Sequence, residues 1–296
     1  MRGGCHFGGA STARRLIAGA PITLALTGCT FGSADDLGAA GPVSGTIREL
    51  LITAASVMLI VVIPVYLLTI GFAWRYRASN RSARYAPDWA YSPRIDFVIW
   101  AVPTLIIAAL GTLVWIYTHR LDPYRPLQGE GPPLVIQAVA MDWKWLFIYP
   151  DDKVAAVNEL VIPSGRPVTI ALTSDTVMNA FFVPELAGQI YAMAGMETRL
   201  NFRADRDGAY VGRNTQYSGS GFADQSFTLR AVPAQAYDDW IDLLRQSPRA
   251  LDQEAYAALA APSSKVPVAY YSAVQEDLFA SVIASYRLPS AHAGHE

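Results

Sequence analysis

The chain has 296 residues, 52% of them hydrophobic, with a formal net charge of −2 and a mean hydropathy of +0.22. It is too apolar for an ordinary soluble protein and too polar for a many-span transporter, and its near-neutral charge excludes nucleic acid as a partner. Its two cysteines, Cys5 and Cys29, both lie near the N-terminus, so a disulfide framework is excluded and any globular part is held by its core.

Arg14 and Arg15 precede an apolar run, Leu16 to Thr27, that is too short to span a bilayer. A basic start, a short apolar stretch and small residues before a cut make residues 1–28 an export signal. Leu26-Thr27-Gly28-Cys29 matches the lipobox of bacterial lipoproteins, which makes Cys29 the thiol that takes a diacylglycerol and becomes the new N-terminus. Residues 29–49 are small and polar and read as an exported tether.

Residues 50–74 and 95–118 are the two expected transmembrane helices. At about 1.5 Å per residue each crosses a hydrocarbon core of roughly 30 Å. The loop between them, residues 75–94, carries Arg75, Arg77, Arg81, Arg84 and Arg94 against Asp88 alone, so the positive-inside rule puts it in the cytoplasm. Cys29 and everything after His119 then lie on the exported side, and charge and lipobox agree. Asp96 opens the second span. By position it is either a carboxylate capping a helix N-terminus or a proton-handling group at the membrane edge.

Beyond Leu134 the periodicity changes. Stretches 134–139, 160–162, 168–172, 198–202 and 226–230 alternate or are β-branched, with Pro163-Ser164-Gly165 as a turn, and predict an antiparallel sandwich or barrel. Past Pro233 the pattern becomes helical: Tyr237, Trp240, Ile241 and Leu244 recur at helical spacing, and a second amphipathic stretch covers 255–259. Residues 289–296 read as a disordered tail, with His292 and His295 incidental to it.

The stretch Met141-Asp142-Trp143-Lys144-Trp145 after two spans resembles subunit II of the heme–copper respiratory oxidases. The resemblance continues through 177–184, and the stretches 189–196 (Gln-Ile-Tyr-Ala-Met-Ala-Gly-Met) and 217–222 (Tyr-Ser-Gly-Ser-Gly-Phe) are similar to the quinol-oxidising branch. It implies two transmembrane α-helices plus an exported all-β cupredoxin-like sandwich over 125–234, with a C-terminal α-helical extension over 235–288. The cytochrome-c-oxidising branch holds a binuclear copper centre. Its ligand positions fall here on Asn179 (first His), Asn214 and Ser218 (the two Cys), Gln216 (Glu), Phe222 (second His) and Gln225 (Met). Thiolate and imidazole select such copper, and residues 120–291 contain no Cys and no His. Trp143 and Trp145, with no copper to serve, read as core and interface packing.

The resemblance therefore implies a subunit without a redox centre of its own, in a proton-pumping ubiquinol oxidase of the bacterial inner membrane. Hemes and copper are expected in a partner, subunit I, with subunit III and a small subunit IV alongside. Ubiquinol is met through the complex. The family carries Glu where this chain has Asp96, at the mouth of a proton-uptake path. A copper-bearing cytochrome c oxidase subunit and a free cupredoxin-like lipoprotein are the competing readings.

Overall fold

The structure, a computed structural model, describes residues 38–83, 87–88 and 90–286. Cys29 with the signal segment 1–28, and the tail 289–296 with His292 and His295, lie outside the described residues. Two long helices come first, α1 (Pro42–Arg75) and α2 (Pro93–Arg120). Their 34 and 28 residues extend about 50 Å and about 40 Å, and their apolar stretches bury nothing inside the chain. Pro64 and Pro103 stay within them.

The first helix starts earlier than expected: residues 42–49, read as tether, form its first turns. Pro42 occupies the first helical position, where its missing N–H costs nothing. The Gly41 N–H donates to Ser44 Oγ at 3.2 Å, and the Ser44 hydroxyl donates to Glu185 O at 2.6 Å. A side chain at Gly41 would not fit, because a Cβ there would lie 2.2 Å from the Arg203 carbonyl oxygen. Ala40 is held on both sides, donating to Glu185 O at 2.7 Å and accepting from the Asp205 N–H at 2.8 Å. The end of α2 is seated on the same part of the domain, where Asn201 donates from its N–H and its side chain to Pro123 O.

The exported domain is a sandwich. Its larger sheet contains β1 (Leu134–Met141), β2 (Lys144–Tyr149), β3 (Val154–Val157), β5 (Val168–Ser174), β8 (Thr198–Phe202) and β12 (Ala269–Tyr271), in the order β12-β3-β2-β1-β5-β8. The smaller contains β4 (Glu159–Pro163), β6 (Asn179–Phe182), β7 (Ile190–Ala192), β9 (Gly208–Asn214) and β10 (Ser226–Val232), in the order β4-β10-β9-β6-β7. The expected purely antiparallel arrangement is corrected at two places: β1 pairs with β5, and β4 with β10, in parallel. Parallel neighbours need a crossover, and the sandwich supplies it by passing the chain to the other sheet between the partners.

The larger sheet is buried on both faces. In β2, Trp145, Phe147 and Tyr149 point into the core between the sheets, while Leu146 and Ile148 point outward under the C-terminal arm. Trp145 meets Phe181 edge-on at 5.6 Å and Phe147 meets Phe227 at 5.0 Å, geometries that ring quadrupoles favour. The arm covering the outer face includes β11 (Ala250–Leu251), α4 (Gln253–Ala260), β13 (Ala273–Val274) and α5 (Leu278–Ser285). It buries Leu251, Tyr256, Leu278, Phe279, Val282 and Ile283. The extension expected to be helical thus also carries strands, and one of them, β12, is an edge of the larger sheet. Helix α3 (Ala234–Arg245) buries Tyr237, Trp240, Ile241 and Leu244, the residues its spacing predicts, against the inter-sheet core.

Candidate functional site

Four of the six positions on which the resemblance lays the copper ligands stand together at the loop Tyr217–Gly221. They come from different elements: Asn179 opens β6, Asn214 closes β9, Ser218 lies in the loop, and Gln225 precedes β10. Asn179, Asn214 and Gln225 are buried. The Asn214 amide nitrogen lies 2.7 Å from Asn179 Oδ1, 2.8 Å from Gln225 Oε1 and 3.1 Å from Ser218 Oγ. Ser218 donates to Gln225 Oε1 at 3.0 Å. Asn214 Oδ1 accepts the Ala180 N–H at 2.8 Å and the Gln216 N–H at 2.9 Å. Outward from this centre, Asn179 donates to Val177 O at 2.8 Å and Gln225 to Met141 O at 3.3 Å. The result is a closed, uncharged network in which each buried amide has partners on both its oxygen and its nitrogen, as burial demands.

Two positions stay out of it. Gln216 contributes its main-chain N–H, and Phe222, half-exposed, packs its ring against Tyr217 at 5.7 Å. No group of three or more His, Cys, Asp or Glu side chains placed to hold a metal ion occurs among the described residues. Amide hydrogens that are already donated, a hydroxyl and a phenyl ring offer no soft donors, so these residues do not fit a binuclear copper centre.

Trp143 and Trp145 separate in space. Trp145 is fully buried in the inter-sheet core, whereas Trp143, half-buried, lies over the loop. Its backbone is left-handed at φ 63°, a strained state for a large side chain, and its indole N–H donates to Ser218 O at 3.1 Å. Gly221 is what lets the ring in: a Cβ there would come 2.3 Å from it. The tryptophan thus pins the loop that supplies Ser218. A Trp followed two and four residues after Tyr217 by glycines that must clear its ring is the one sequence signal that points to this contact.

Next to it, Lys144 is buried at the start of β2 and donates to Ala261 O at 2.8 Å and Ser263 Oγ at 2.6 Å. Loss of hydration lowers its pKa, and Asp142 pulls the other way. Sequence reasoning did not find a second buried polar cluster around Glu159. That carboxylate accepts from Tyr270 OH at 2.6 Å, Arg230 Nη1 at 3.2 Å and Trp240 Nε1 at 3.4 Å. It ties together strands of both sheets and α3.

Asp96 is far simpler. It lies exposed in the first turn of α2, its N–H donating to Ser92 O at 2.9 Å.

A family model described as cytochrome c oxidase subunit II, periplasmic domain, matches residues 153–232, and one described as the COX aromatic rich motif matches residues 245–289. The chain is 49% identical to the cytochrome bo(3) ubiquinol oxidase subunit 2 of Pseudomonas aeruginosa, over 81% of this chain and 72% of that protein. It is 46% identical to the protein of the same name from Pseudomonas putida, over 89% and 83%. With the ubiquinol oxidase subunit 2 of Acetobacter aceti it shares 44% identity over 91% and 87%.

Proposed function

This chain belongs to the subunit 2 family of bacterial ubiquinol oxidases, and on that premise we propose that it works as the redox-inert second subunit of an enzyme that oxidises ubiquinol and reduces oxygen to water. The closed amide network of Asn179, Asn214, Ser218 and Gln225 carries the proposal. It occupies, with hydrogen-bonded neutral groups, the place where a cytochrome-c-oxidising relative needs a metal that accepts electrons. The electrons of ubiquinol then pass through the hemes and copper of a large subunit I, with subunits III and IV as further partners. This chain docks on the outer face of subunit I through its sandwich and hairpin.

The chain is an inner-membrane protein whose basic loop 75–94 faces the cytoplasm and whose domain faces the periplasm. Cys29 carries a lipid that adds a third attachment to the two helices. Asp96, at the cytoplasmic end of α2, collects protons for uptake into subunit I. It replaces the family's Glu with a stem one methylene shorter, which a bridging water spans.

The test is the purified complex supplied with ubiquinol or with reduced cytochrome c. Rapid oxygen consumption on ubiquinol and none on cytochrome c is expected, and the reverse preference would refute the reading. In the same assay Asp96→Asn should slow turnover several-fold with heme content unchanged, while Asp96→Glu keeps the rate. Wild-type turnover of Asp96→Asn from neutral to alkaline pH would leave Asp96 as a helix cap only.

A further inference from the structure

The outer ends of the two helices frame a small pocket of about 90 Å³. Val43 and Ile47 of α1 form one wall, and Arg120 at the end of α2, with Leu121 to Pro123 and Arg125 just past it, forms another. The volume is about three times the share of one water in the liquid, enough for a phosphate group and too small for a whole lipid. An apolar surface continues from it along α1, where Leu51 is 60% exposed.

The charge in this pocket is unusual for its location. Arg120 and Arg125 both line it, and neither forms an ion pair among the described residues. Arg120 instead lies over the Tyr117 ring at 5.9 Å. One carboxylate, Asp122, also lines the pocket, and it is turned to the backbone, accepting the Tyr124 N–H at 2.9 Å. Two guanidiniums against one carboxylate leave the pocket net positive. The helix ends do not alter that sign, because α1 starts here and α2 stops here, and their partial charges are opposite. On the exported side of a span, arginine is the residue that the positive-inside rule disfavours. A pair kept there beside an apolar wall is matched by an anion whose remainder is hydrocarbon.

We propose that this pocket binds the phosphate of an anionic phospholipid from the outer leaflet, with Arg120 and Arg125 as its donors and the acyl chains lying along α1. Guanidinium is suited to this, since it gives phosphate two parallel hydrogen bonds. The lipid would fill the junction between the hairpin and the domain, where Ile47 lies 3.8 Å from the position of a Cβ at Gly188. The inference rests on α1 and α2 spanning the membrane and not on which donor the oxidase uses.

Native mass spectrometry of the whole complex in nanodiscs tests it, with phosphatidylglycerol diluted in phosphatidylcholine as the probe. Wild type should retain phosphatidylglycerol on this chain, and Arg120→Gln or Arg125→Gln should each weaken retention by about tenfold. Arg199→Gln, which breaks an exposed pair with Glu197 on the domain surface, is the control and should retain as wild type does. Co-purification with the partner chain shows that a variant is assembled. Equal retention in wild type and in the assembled double variant Arg120→Gln/Arg125→Gln overturns the proposal. So does displacement of the lipid by millimolar inorganic phosphate, which would make the pocket a plain anion site. Failure of the complex to use ubiquinol would refute the proposed function while leaving the lipid result readable.

Discussion

The exported domain buries two polar clusters that solve the same problem in opposite ways. The cluster of Asn179, Asn214, Ser218 and Gln225 is neutral throughout and saturates itself. The cluster at Glu159 holds a charge, with a carboxylate 8% exposed and three donors arriving from β10, β12 and α3. A neutral network tolerates deep burial because no ion is desolvated. A carboxylate tolerates it only while its donors remain, and here Arg230 stays half in water, which limits the desolvation cost to one partner. The first cluster packs the loop Tyr217–Gly221 onto β6 and β9. The second fastens the C-terminal extension to the sandwich.

The sharpest way to break this contrast is at the charged cluster. Glu159→Ala removes the one acceptor shared by three donors and should cost about 3 kcal/mol, the range for hydrogen bonds to a charged group together with buried donors left unmet. Denaturant melts of the full chain in detergent measure it. A loss below about 1 kcal/mol would mean the carboxylate is incidental to the arm's attachment.

At the neutral cluster Asn214→Ala strands the Ala180 and Gln216 N–H groups and the side-chain oxygen of Asn179, while Gln225 Oε1 keeps the Ser218 hydroxyl. About 2 kcal/mol of destabilisation is expected, less than at Glu159 because no hydrogen bond to a charged group is lost. On the proposed reading, in which no electron passes here, ubiquinol turnover of the assembled complex should stay at the wild-type level. A collapse in turnover at normal assembly would assign the network a role in catalysis.

The smallest effect separates the clusters by pH. Burial, followed by the hydrogen bond to Glu159 and that carboxylate's charge, pushes the Tyr270 hydroxyl up to about 12. A folded-state pKa raised above the ordinary 10.0 contributes stability that is complete below that value and is lost as pH rises from 10.0 toward about 12. Tyr270→Phe should therefore be less sensitive than wild type to alkali in that window. Parallel pH–stability curves for the two proteins would show that Tyr270 and Glu159 are not coupled. The neutral cluster holds no such group, and Asn214→Ala should leave the alkaline slope unchanged.

Much of this architecture is legible in the residues, and the gaps have physical causes. The strands at 134, 160, 168, 198 and 226 announce themselves because one face of each is polar or β-branched and a turn is nearby. Strand β2 hides, because Trp145, Phe147 and Tyr149 face one core and Leu146 and Ile148 another, which erases the polar alternation. The glycine-containing β9 and the three-residue β7 and β12 are too irregular or short to carry a period. At the candidate site the substituted ligand positions could be named from the resemblance. That four of them bond to one another, and that Trp143 covers them, needed the loop's path in space. Glu159 gives no signal at all in sequence, since its three donors come from 71 to 111 positions away.

The seating of Gly41 and Ser44 against the domain has a consequence for the order of assembly. Ser44 bonds to a carbonyl 141 positions later, with both membrane helices and half of the sandwich in between. Contacts so distant in sequence form late and slowly. The root of the first helix must therefore wait, already exported, until the segment around Glu185 has followed it across the membrane and folded. Its docking therefore follows the arrival of the segment from Glu185 to Asp205, which holds Ala40 and Ser44 in place.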